Sequence, residues 1–244
     1  MNGLIAVYYR ELLILRRRLK RQLAGMAVSP LLYLVAFGYA MGGGMIVQGR
    51  PYLEFLIPGL IAMNGMNQAF GIATEINVAR FYWFIFEEFQ SAPIGNAAYV
   101  AGEVLAGMTR ALIGALVVIC LCLPFGLSLH FGGWFWLAVL CNSFVFASLA
   151  VTMAMLVKSH ADQSLVTSFV ITPMAFLGGT FFPIDRMPLW AQKLLYFLPL
   201  THASGAIRTS AFGGTPSAVS YLIMLGVGIV FFFAALNSVN QARD

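Results

Sequence analysis

The sequence contains few charged residues and none of the residue clusters that commonly form an enzyme's active site. Only 9% of its 244 residues are charged, and it has three histidines and three cysteines. The histidines, His130, His160 and His202, are far apart, with no cysteine or carboxylate at the spacing of a metal site. The cysteines lie within apolar stretches and are expected to be small packing residues. Since no Ser-His-Asp or paired-carboxylate pattern emerges either, we predict neither a catalytic site nor a metal site.

A nucleotide-binding motif is also missing. The phosphate loop Gly-x-x-x-x-Gly-Lys-Ser/Thr does not occur, which excludes ATP binding and hydrolysis by that motif. Carriers driven by ion gradients place a carboxylate or histidine deep in the membrane, whereas Glu75 and Glu103 lie toward the predicted cytoplasmic ends of their apolar stretches. We therefore predict a protein that is not itself an enzyme and that takes its energy from another subunit.

Hydrophobic residues, by contrast, make up 60% of the sequence. No soluble globular domain of this length is expected to have that composition, so the chain is an integral membrane protein. At ~20 residues per span, its length allows about six transmembrane helices and little else. We predict an all-α fold with one membrane domain over residues 1–244 and no appended soluble domain.

The apolar runs place the six spans in order along the chain. They are expected at residues 23–41, 55–76, 97–123, 134–157, from about 164, and 219–236. Residues 1–22 alternate apolar and basic positions at helical spacing, which predicts an amphipathic helix lying in the membrane interface. If both termini are cytoplasmic, nine basic residues lie inside and four outside, and this bias favours that topology.

The net charge of +5 does not indicate nucleic-acid binding, because six of the fourteen basic residues cluster just before the first span. Such a cluster is typical of an anchor against anionic lipid on the cytoplasmic side. The six are Arg10, Arg16, Arg17, Arg18, Lys20 and Arg21.

Two predicted spans carry polar side chains on one face. In the second span the amides recur at helical spacing, and in the fifth span small hydroxyl residues do so. Each face has two explanations: hydrogen bonding between helices, or lining of a substrate pathway. The candidate pathway residues are Asn64, Asn67 and Gln68 in the second span and Thr167, Ser168 and Thr172 in the fifth.

Residues 77–96 form the most charged internal loop, and aromatic residues are interleaved with its acids. A short helix here would present Glu87 and Glu88 to the cytoplasm while its aromatic side rests on the membrane, and Pro93 would end it or start the next helix. The segment is either a solvated turn with interface anchors or a docking element for a cytoplasmic partner.

The stretch between the fifth and sixth spans is more than a simple loop. Glycine and proline break the apolar run, and a short amphipathic segment with Trp190 follows over residues 183–210. Tryptophan favours the headgroup level, and irregular backbone at membrane depth must be buried in protein or line a wet cavity. We predict a partly re-entrant outer element whose marked residues are Gly178, Gly179, Phe182, Pro183, Pro188, Trp190, Pro199 and Arg208.

These residues also carry a family resemblance. The run Gly178-Gly-Thr-Phe-Phe-Pro183, the Pro188-x-Trp190 pair, Pro199-Leu-Thr-His202 and the final Arg208 resemble the signature of type-2 ABC exporter permeases. Other stretches, including Phe55-Leu-Ile-Pro-Gly-Leu-Ile61, resemble the branch that contains nodulation-factor (lipo-oligosaccharide) and drug exporter permeases.

The resemblance implies a half-transporter in the bacterial inner membrane. Two copies of the chain would pair with two copies of a separate cytoplasmic ABC ATPase, which would bind ATP and Mg²⁺, and an amphipathic, lipid-linked or drug-like substrate would be exported. Helices one, two and five of each copy would border the route. The residues expected to couple to the ATPase are Glu87, Glu88, Phe89, Ala92, Pro93 and Glu103.

Two other classes of function are alternatives to an exporter permease. A self-sufficient channel or ion-coupled secondary carrier would need no ATPase, but carboxylates are scarce at mid-membrane positions. A membrane enzyme acting on lipids would need a carboxylate or histidine cluster at one interface, and the sequence offers none. One departure from the family pattern is the aromatic and acidic character of residues 81–89.

Overall fold

The structure is a computed structural model that describes residues 2–39, 45–126 and 129–241. Almost all of these residues are helical, and the one small sheet is an antiparallel pair, β1 (Ile46–Val47) and β2 (Arg50–Pro51). The α-helices are α1 (Asn2–Tyr33), α2 (Tyr52–Phe70), α3 (Ile72–Phe81), α4 (Ile85–Ser91), α5 (Asn96–Cys122), α6 (Gly133–Leu156), α7 (His160–Val166), α8 (Thr172–Leu177), α9 (Leu189–Tyr196), α10 (Pro199–Ala211) and α11 (Ala218–Gln241).

Helix α2 is the centre of the fold. Most of its residues are buried, and α5, α6 and α10 pack around it. A helix that is apolar on all sides is stable only when surrounded. Small residues allow the close approach of neighbouring helices: a Cβ added to Gly107 of α5 would lie 2.9 Å from the Cβ of Ala147 in α6.

Three described helices are long and apolar enough to cross a membrane by length and composition, over Asn96–Phe125, Gly133–Leu156 and Ala218–Gln241. In α11 the apolar side chains of Leu222, Val230 and Phe233 are largely exposed in the isolated chain, as expected for a helix that faces lipid. The all-helical prediction is therefore confirmed, while the count of six spans stays a prediction.

The predicted interface helix and the first predicted span are one uninterrupted helix, α1. Leucine, arginine and alanine dominate the stretch between them, and all three are good helix formers. Pro30 removes one backbone donor, and a π-helical segment, Leu34–Tyr39, follows. Residues 40 and 41, which complete the predicted span, lie outside the described residues.

The fifth predicted span is not one regular helix. Helix α7 continues through a π-helical segment, Thr167–Ile171, into α8. Pro173 lacks a backbone N–H, so a regular ladder cannot continue through it, and a wider turn next to it is a common solution. The Thr172 hydroxyl donates to the Thr167 carbonyl at 3.1 Å and supplies one of the bonds in this turn.

Candidate functional site

The charged loop over residues 77–96 contains the short helix that the sequence predicted, α4. Phe84 precedes it in a left-handed conformation, φ 54°, and this turn redirects the chain between α3 and α4. At its other end Ala92 is extended, at φ −78° and ψ 153°. A residue before proline favours that conformation, so Pro93 sets the end of the helix.

An aromatic cluster holds α4 against the membrane domain. Phe86 is 8% exposed, and its ring centroid lies 5.7 Å from that of Tyr99 in α5. The Phe89 ring lies 5.3 Å from Tyr99 on the same side of α4. The Arg10 guanidinium of α1 sits 5.0 Å from the centre of the Phe89 ring, a cation–π distance. The aromatic character of this loop therefore joins α1, α4 and α5.

A second arginine joins the same region to α6. Arg80 donates from Nη1 to the carbonyls of Ala154, at 3.3 Å, and Met155, at 2.9 Å, in the last turn of that helix. These carbonyls carry the negative end of the helix dipole, so a guanidinium is stabilised there. The same guanidinium lies 5.8 Å from the centre of the Phe86 ring, which brings the end of α6 next to α4.

Carboxylates and arginines form a chain of charges behind α4. Arg10 Nη1 donates to Glu11 Oε1 at 2.9 Å and lies 4.0 Å from Glu103 Oε1. Glu103 is only 2% exposed. Burial raises the pKa of Glu11, and Arg10 partly offsets this effect. Arg110 of α5 donates to Glu75 of α3, so Glu103 and Arg110, which share a helix face, each have a different partner.

The six predicted coupling residues thus occupy different environments. Glu88 and Pro93 are exposed, Ala92 is partly exposed, and Phe89 points inward against Tyr99. Glu103 is buried behind the aromatic cluster. The side chain of Glu87 lies outside the described part of the structure. Of the six, Glu88 and Pro93 are on the surface, whereas Phe89 contacts α5 and Glu103 lies near Arg10 of α1.

The predicted pathway residue Asn64 is buried between α2 and α5. It is 4% exposed, and its amide donates to the Gly114 carbonyl of α5 at 2.9 Å. Gln68, one turn later, donates to Asn64 Oδ1 at 3.4 Å. A Cβ on Gly114 would lie 2.8 Å from Gln68 Cγ, so the glycine makes room for the amides. This bond is the interhelical contact that one of the two explanations predicted for Asn64, and its place in a substrate pathway stays a prediction.

The other polar residues are more accessible. Asn67, Ser168 and Thr172 are exposed, and Thr167 is partly buried with its hydroxyl donating to the Gln163 carbonyl at 3.0 Å. Within the amide stripe of α2, the Asn64 side chain bonds to α5. Helix α7 instead contacts α3, where Asn77 Nδ2 donates to Gln163 Oε1 at 3.0 Å.

A tight turn begins the predicted outer element. Gly179 has φ 77°, a region that favours glycine, and a Cβ on Gly178 would lie 2.8 Å from the Leu200 side chain. The Ser204 hydroxyl of α10 donates to the Gly178 carbonyl at 2.6 Å. The Tyr52 hydroxyl of α2 donates to the Phe181 carbonyl at 3.1 Å. The turn is therefore held from both α2 and α10.

Arg208 of α10 makes the most extensive contacts with this turn. Its Nε donates to the Phe55 carbonyl of α2 at 3.1 Å, and its Nη2 donates to the Gly179 carbonyl at 2.7 Å. The guanidinium lies 3.8 Å from the centre of the Phe55 ring. One side chain therefore joins α2, α10 and the glycine turn.

The rest of the element combines buried and exposed apolar residues. Pro183 is buried, whereas Phe182 is exposed beside it. Pro188 precedes α9, which exposes Trp190, and Pro199 is the first residue of α10. Because α10 packs against α2 and α6, it lies inside the helix bundle, while α9 lies on the surface. Re-entry into the membrane stays a prediction.

The sequence indicated α4 and the glycine turn but missed several residues that hold them. Arg10 was visible only as one of a basic cluster, and Tyr99 as one apolar residue at the start of a span. Arg80 is the one cation in residues 77–96, and nothing in the local sequence indicates that it bonds to the end of α6.

The sequence is similar to a family of membrane transport proteins. The sequence model of a family described as ABC-2 type transporter matches residues 3–212. The inner membrane transport permease YadH of Escherichia coli K12 is 27% identical over 221 residues, covering 88% of this chain and 86% of that protein.

Two further relatives have names that refer to particular processes. Nodulation protein J of Rhizobium leguminosarum bv. viciae is 29% identical over 223 residues, covering 86% of this chain and 82% of that protein. The daunorubicin resistance ABC transporter permease protein DrrB1 of Streptomyces coeruleorubidus is 25% identical over 225 residues, covering 88% and 77%.

Proposed function

Because this chain belongs to the ABC-2 type transporter family, as its sequence motifs predicted, we propose that it is the transmembrane permease subunit of an ATP-binding cassette exporter. Two copies of the chain pair with two copies of a separate ATPase, which binds ATP and Mg²⁺. The complex lies in the bacterial inner membrane with both termini of this chain in the cytoplasm. Its relatives include an inner membrane permease, which supports the location.

The observation that carries this proposal is the anchoring of α4. A seven-residue helix exposes Glu88 while its aromatic side is fixed to Tyr99, Arg10 and Arg80. A solvated turn would not need three such attachments. A helix that transmits movement from a cytoplasmic subunit would need them, because force applied to it must reach the membrane helices.

These attachments suggest how ATP binding would change the membrane domain. When ATP closes the partner subunits, α4 moves with them. Arg10 and Tyr99 pass that movement to α1 and α5, and Arg80 passes it to the end of α6. Each copy then moves largely as a rigid body between inward-open and outward-open arrangements, and ATP supplies the free-energy bias.

The substrate is an amphipathic, lipid-linked or drug-like molecule. Two relatives carry names that refer to nodulation and to daunorubicin resistance. Ser168 and Thr172 lie next to exposed apolar side chains such as Phe169, and Asn67 is exposed on α2. When two copies face each other across such surfaces, the route between them is mainly apolar with a few hydrogen-bonding groups, which suits a molecule with a polar head.

The first test is capture of the ATPase by the tagged permease in mild detergent. We expect the parent chain to retain a candidate ABC ATPase in equal amounts and Glu88→Lys to lose most of it, because the variant reverses a charge on the exposed side of α4. Asp185→Lys makes the same charge change in the exposed 3₁₀ turn of the outer element and should retain the ATPase. If the parent and both variants capture the ATPase equally, the ATPase does not dock on the exposed side of α4. Solute transport by the purified chain alone would contradict the proposal.

A second test separates the two asparagines of α2. Asn64→Leu should lower the stability of the purified protein by about 1–2 kcal/mol, since it removes a buried hydrogen bond to α5. Asn67→Leu should leave stability within about 0.5 kcal/mol, because the residue is exposed, and should reduce export. Thermal unfolding and an export assay on both variants measure these effects. If Asn67→Leu exports substrate as well as the parent does, Asn67 does not line the substrate route.

A further inference from the structure

A cavity of about 490 Å³ lies behind the proposed coupling helix, between the first half of α1, the end of α3, α4 and the start of α5. Its volume is within the roughly 300–1,000 Å³ typical of small-molecule sites. Much of the wall is apolar or aromatic and includes Ile76, Val78, Trp83 and Phe86. The cavity therefore has a surface suited to an acyl chain.

The charges that line the cavity differ in whether they have partners. Glu11 and Glu103 lie next to Arg10, and Glu75 pairs with Arg110. Arg17 and Arg18 also line the cavity, but both are exposed, and neither has a carboxylate within 4.0 Å among the residues that the structure describes. Counted with Arg110, these groups have a net charge of +1, and the two arginines without a carboxylate partner both lie on α1.

We propose that this cavity binds an anionic phospholipid, with its phosphate at Arg17 and Arg18 and an acyl chain along the wall formed by Ile76, Trp83 and Phe86. Arginine is well suited to a phosphate group because its guanidinium presents several donors in one plane. A free phosphate would use the arginines but leave the apolar wall unoccupied. A lipid uses both, because its phosphate meets the arginines and its acyl chain covers the apolar wall.

The position of the lipid gives it a role beyond anchoring. It lies between α1 and α4, next to Phe89 and Arg10, which join these helices. An occupied cavity supports that contact from the membrane side, so the lipid composition affects how firmly α4 is held. With both termini in the cytoplasm, as proposed above, this lipid belongs to the inner leaflet; its binding to the cavity does not depend on that topology.

Lipid binding is tested with the purified full-length chain in neutral detergent, without any ATPase. Native mass spectrometry with added phosphatidylglycerol or phosphatidylcholine measures the lipid retained per chain. We expect about one phosphatidylglycerol per chain and little phosphatidylcholine. Arg17→Ala with Arg18→Ala should weaken phosphatidylglycerol retention about tenfold. The matched pair Arg16→Ala with Arg21→Ala removes the same charge from exposed positions that do not line the cavity, and should change retention by less than about twofold.

A second variant tests the apolar half of the site. Ala79 lines the cavity, so Ala79→Phe should fill part of it and reduce phosphatidylglycerol retention while leaving all arginines in place. If both double variants lose phosphatidylglycerol retention equally, the proposal is overturned, because the lipid is then attracted by the overall positive charge of α1 and not by the cavity. Displacement of the lipid by millimolar inorganic phosphate, with no effect of Ala79→Phe, would overturn it in favour of a simple anion site. Because no ATPase is present, either result leaves the exporter proposal standing.

Discussion

Gly59→Ala is expected to prevent normal assembly of the outer element. Gly59 lies in α2 where the helix meets the glycine turn. A Cβ here would lie 2.5 Å from the Thr180 carbonyl oxygen, 2.9 Å from the Thr180 Cα and 3.0 Å from Arg208 Nη2. Two of these three atoms belong to the backbone, so no side-chain rotation relieves the clash. The turn must move away from α2, and overpacking of this kind costs about 3 kcal/mol.

Thermal unfolding of the purified variant measures this cost, and we expect the midpoint to fall on the order of 10 °C. Gly226→Ala is the matched control, because Gly226 is also a helical glycine but a Cβ there meets nothing within 4 Å. It should raise stability by about 0.5–1 kcal/mol through helix propensity. If both variants unfold at the temperature of the parent, α2 and the turn are not in close contact in the folded protein.

The position of the turn shows what the sequence could and could not establish. Two adjacent glycines and Pro183 identified a break in an apolar run, because these residues have strong local preferences. They did not identify Gly59, which is about 120 residues earlier and lies in a run that reads simply as a span. Its requirement for a small side chain comes from the backbone of Thr180, and such tertiary contacts leave no local pattern.

The site around α4 was likewise predictable only in part. Charged and aromatic residues beside Pro93 were enough to predict a short helix in residues 77–96. The inward side of that helix was not predictable, because Tyr99 and Arg10 come from other elements. The polar stripe of α2 was identified by its spacing, but spacing alone allowed two roles for Asn64. The hydrogen bond from Asn64 to the Gly114 carbonyl of α5 appears only in the structure.

Arg208→Lys is expected to weaken the attachment of the glycine turn to α10 and α2 while keeping the positive charge. Lysine has one ammonium group and cannot reproduce the planar guanidinium that reaches the Phe55 and Gly179 carbonyls together and stacks on the Phe55 ring. We expect the lysine variant to have a free energy of unfolding about 2 kcal/mol lower than that of the parent. For Arg208→Met the expected loss is about 4 kcal/mol, because both charge-assisted bonds and the cation–π contact disappear.

Stability and export are measured on the same preparations, with Arg186→Lys as the control. Arg186 is also on the predicted outer side, but it is exposed, so the same substitution should change stability by less than about 0.5 kcal/mol. Export should fall with Arg208→Lys and remain unchanged with Arg186→Lys. Equal stability of Arg208→Lys and the parent would show that charge alone, without the paired hydrogen bonds, is enough at this position.

Combining Arg208→Met with Ser204→Ala tests whether the turn is held as one unit. Ser204 donates to the Gly178 carbonyl and Arg208 to the adjacent Gly179 carbonyl. Once either bond is lost and the turn has moved, the other bond is expected to contribute much less to the free energy of unfolding. The double variant should therefore lose about 0.5–3 kcal/mol less than the two single losses added together. Strict additivity would mean that α10 holds the two carbonyls independently, and the outer element would then not be a single rigid piece that moves with α10.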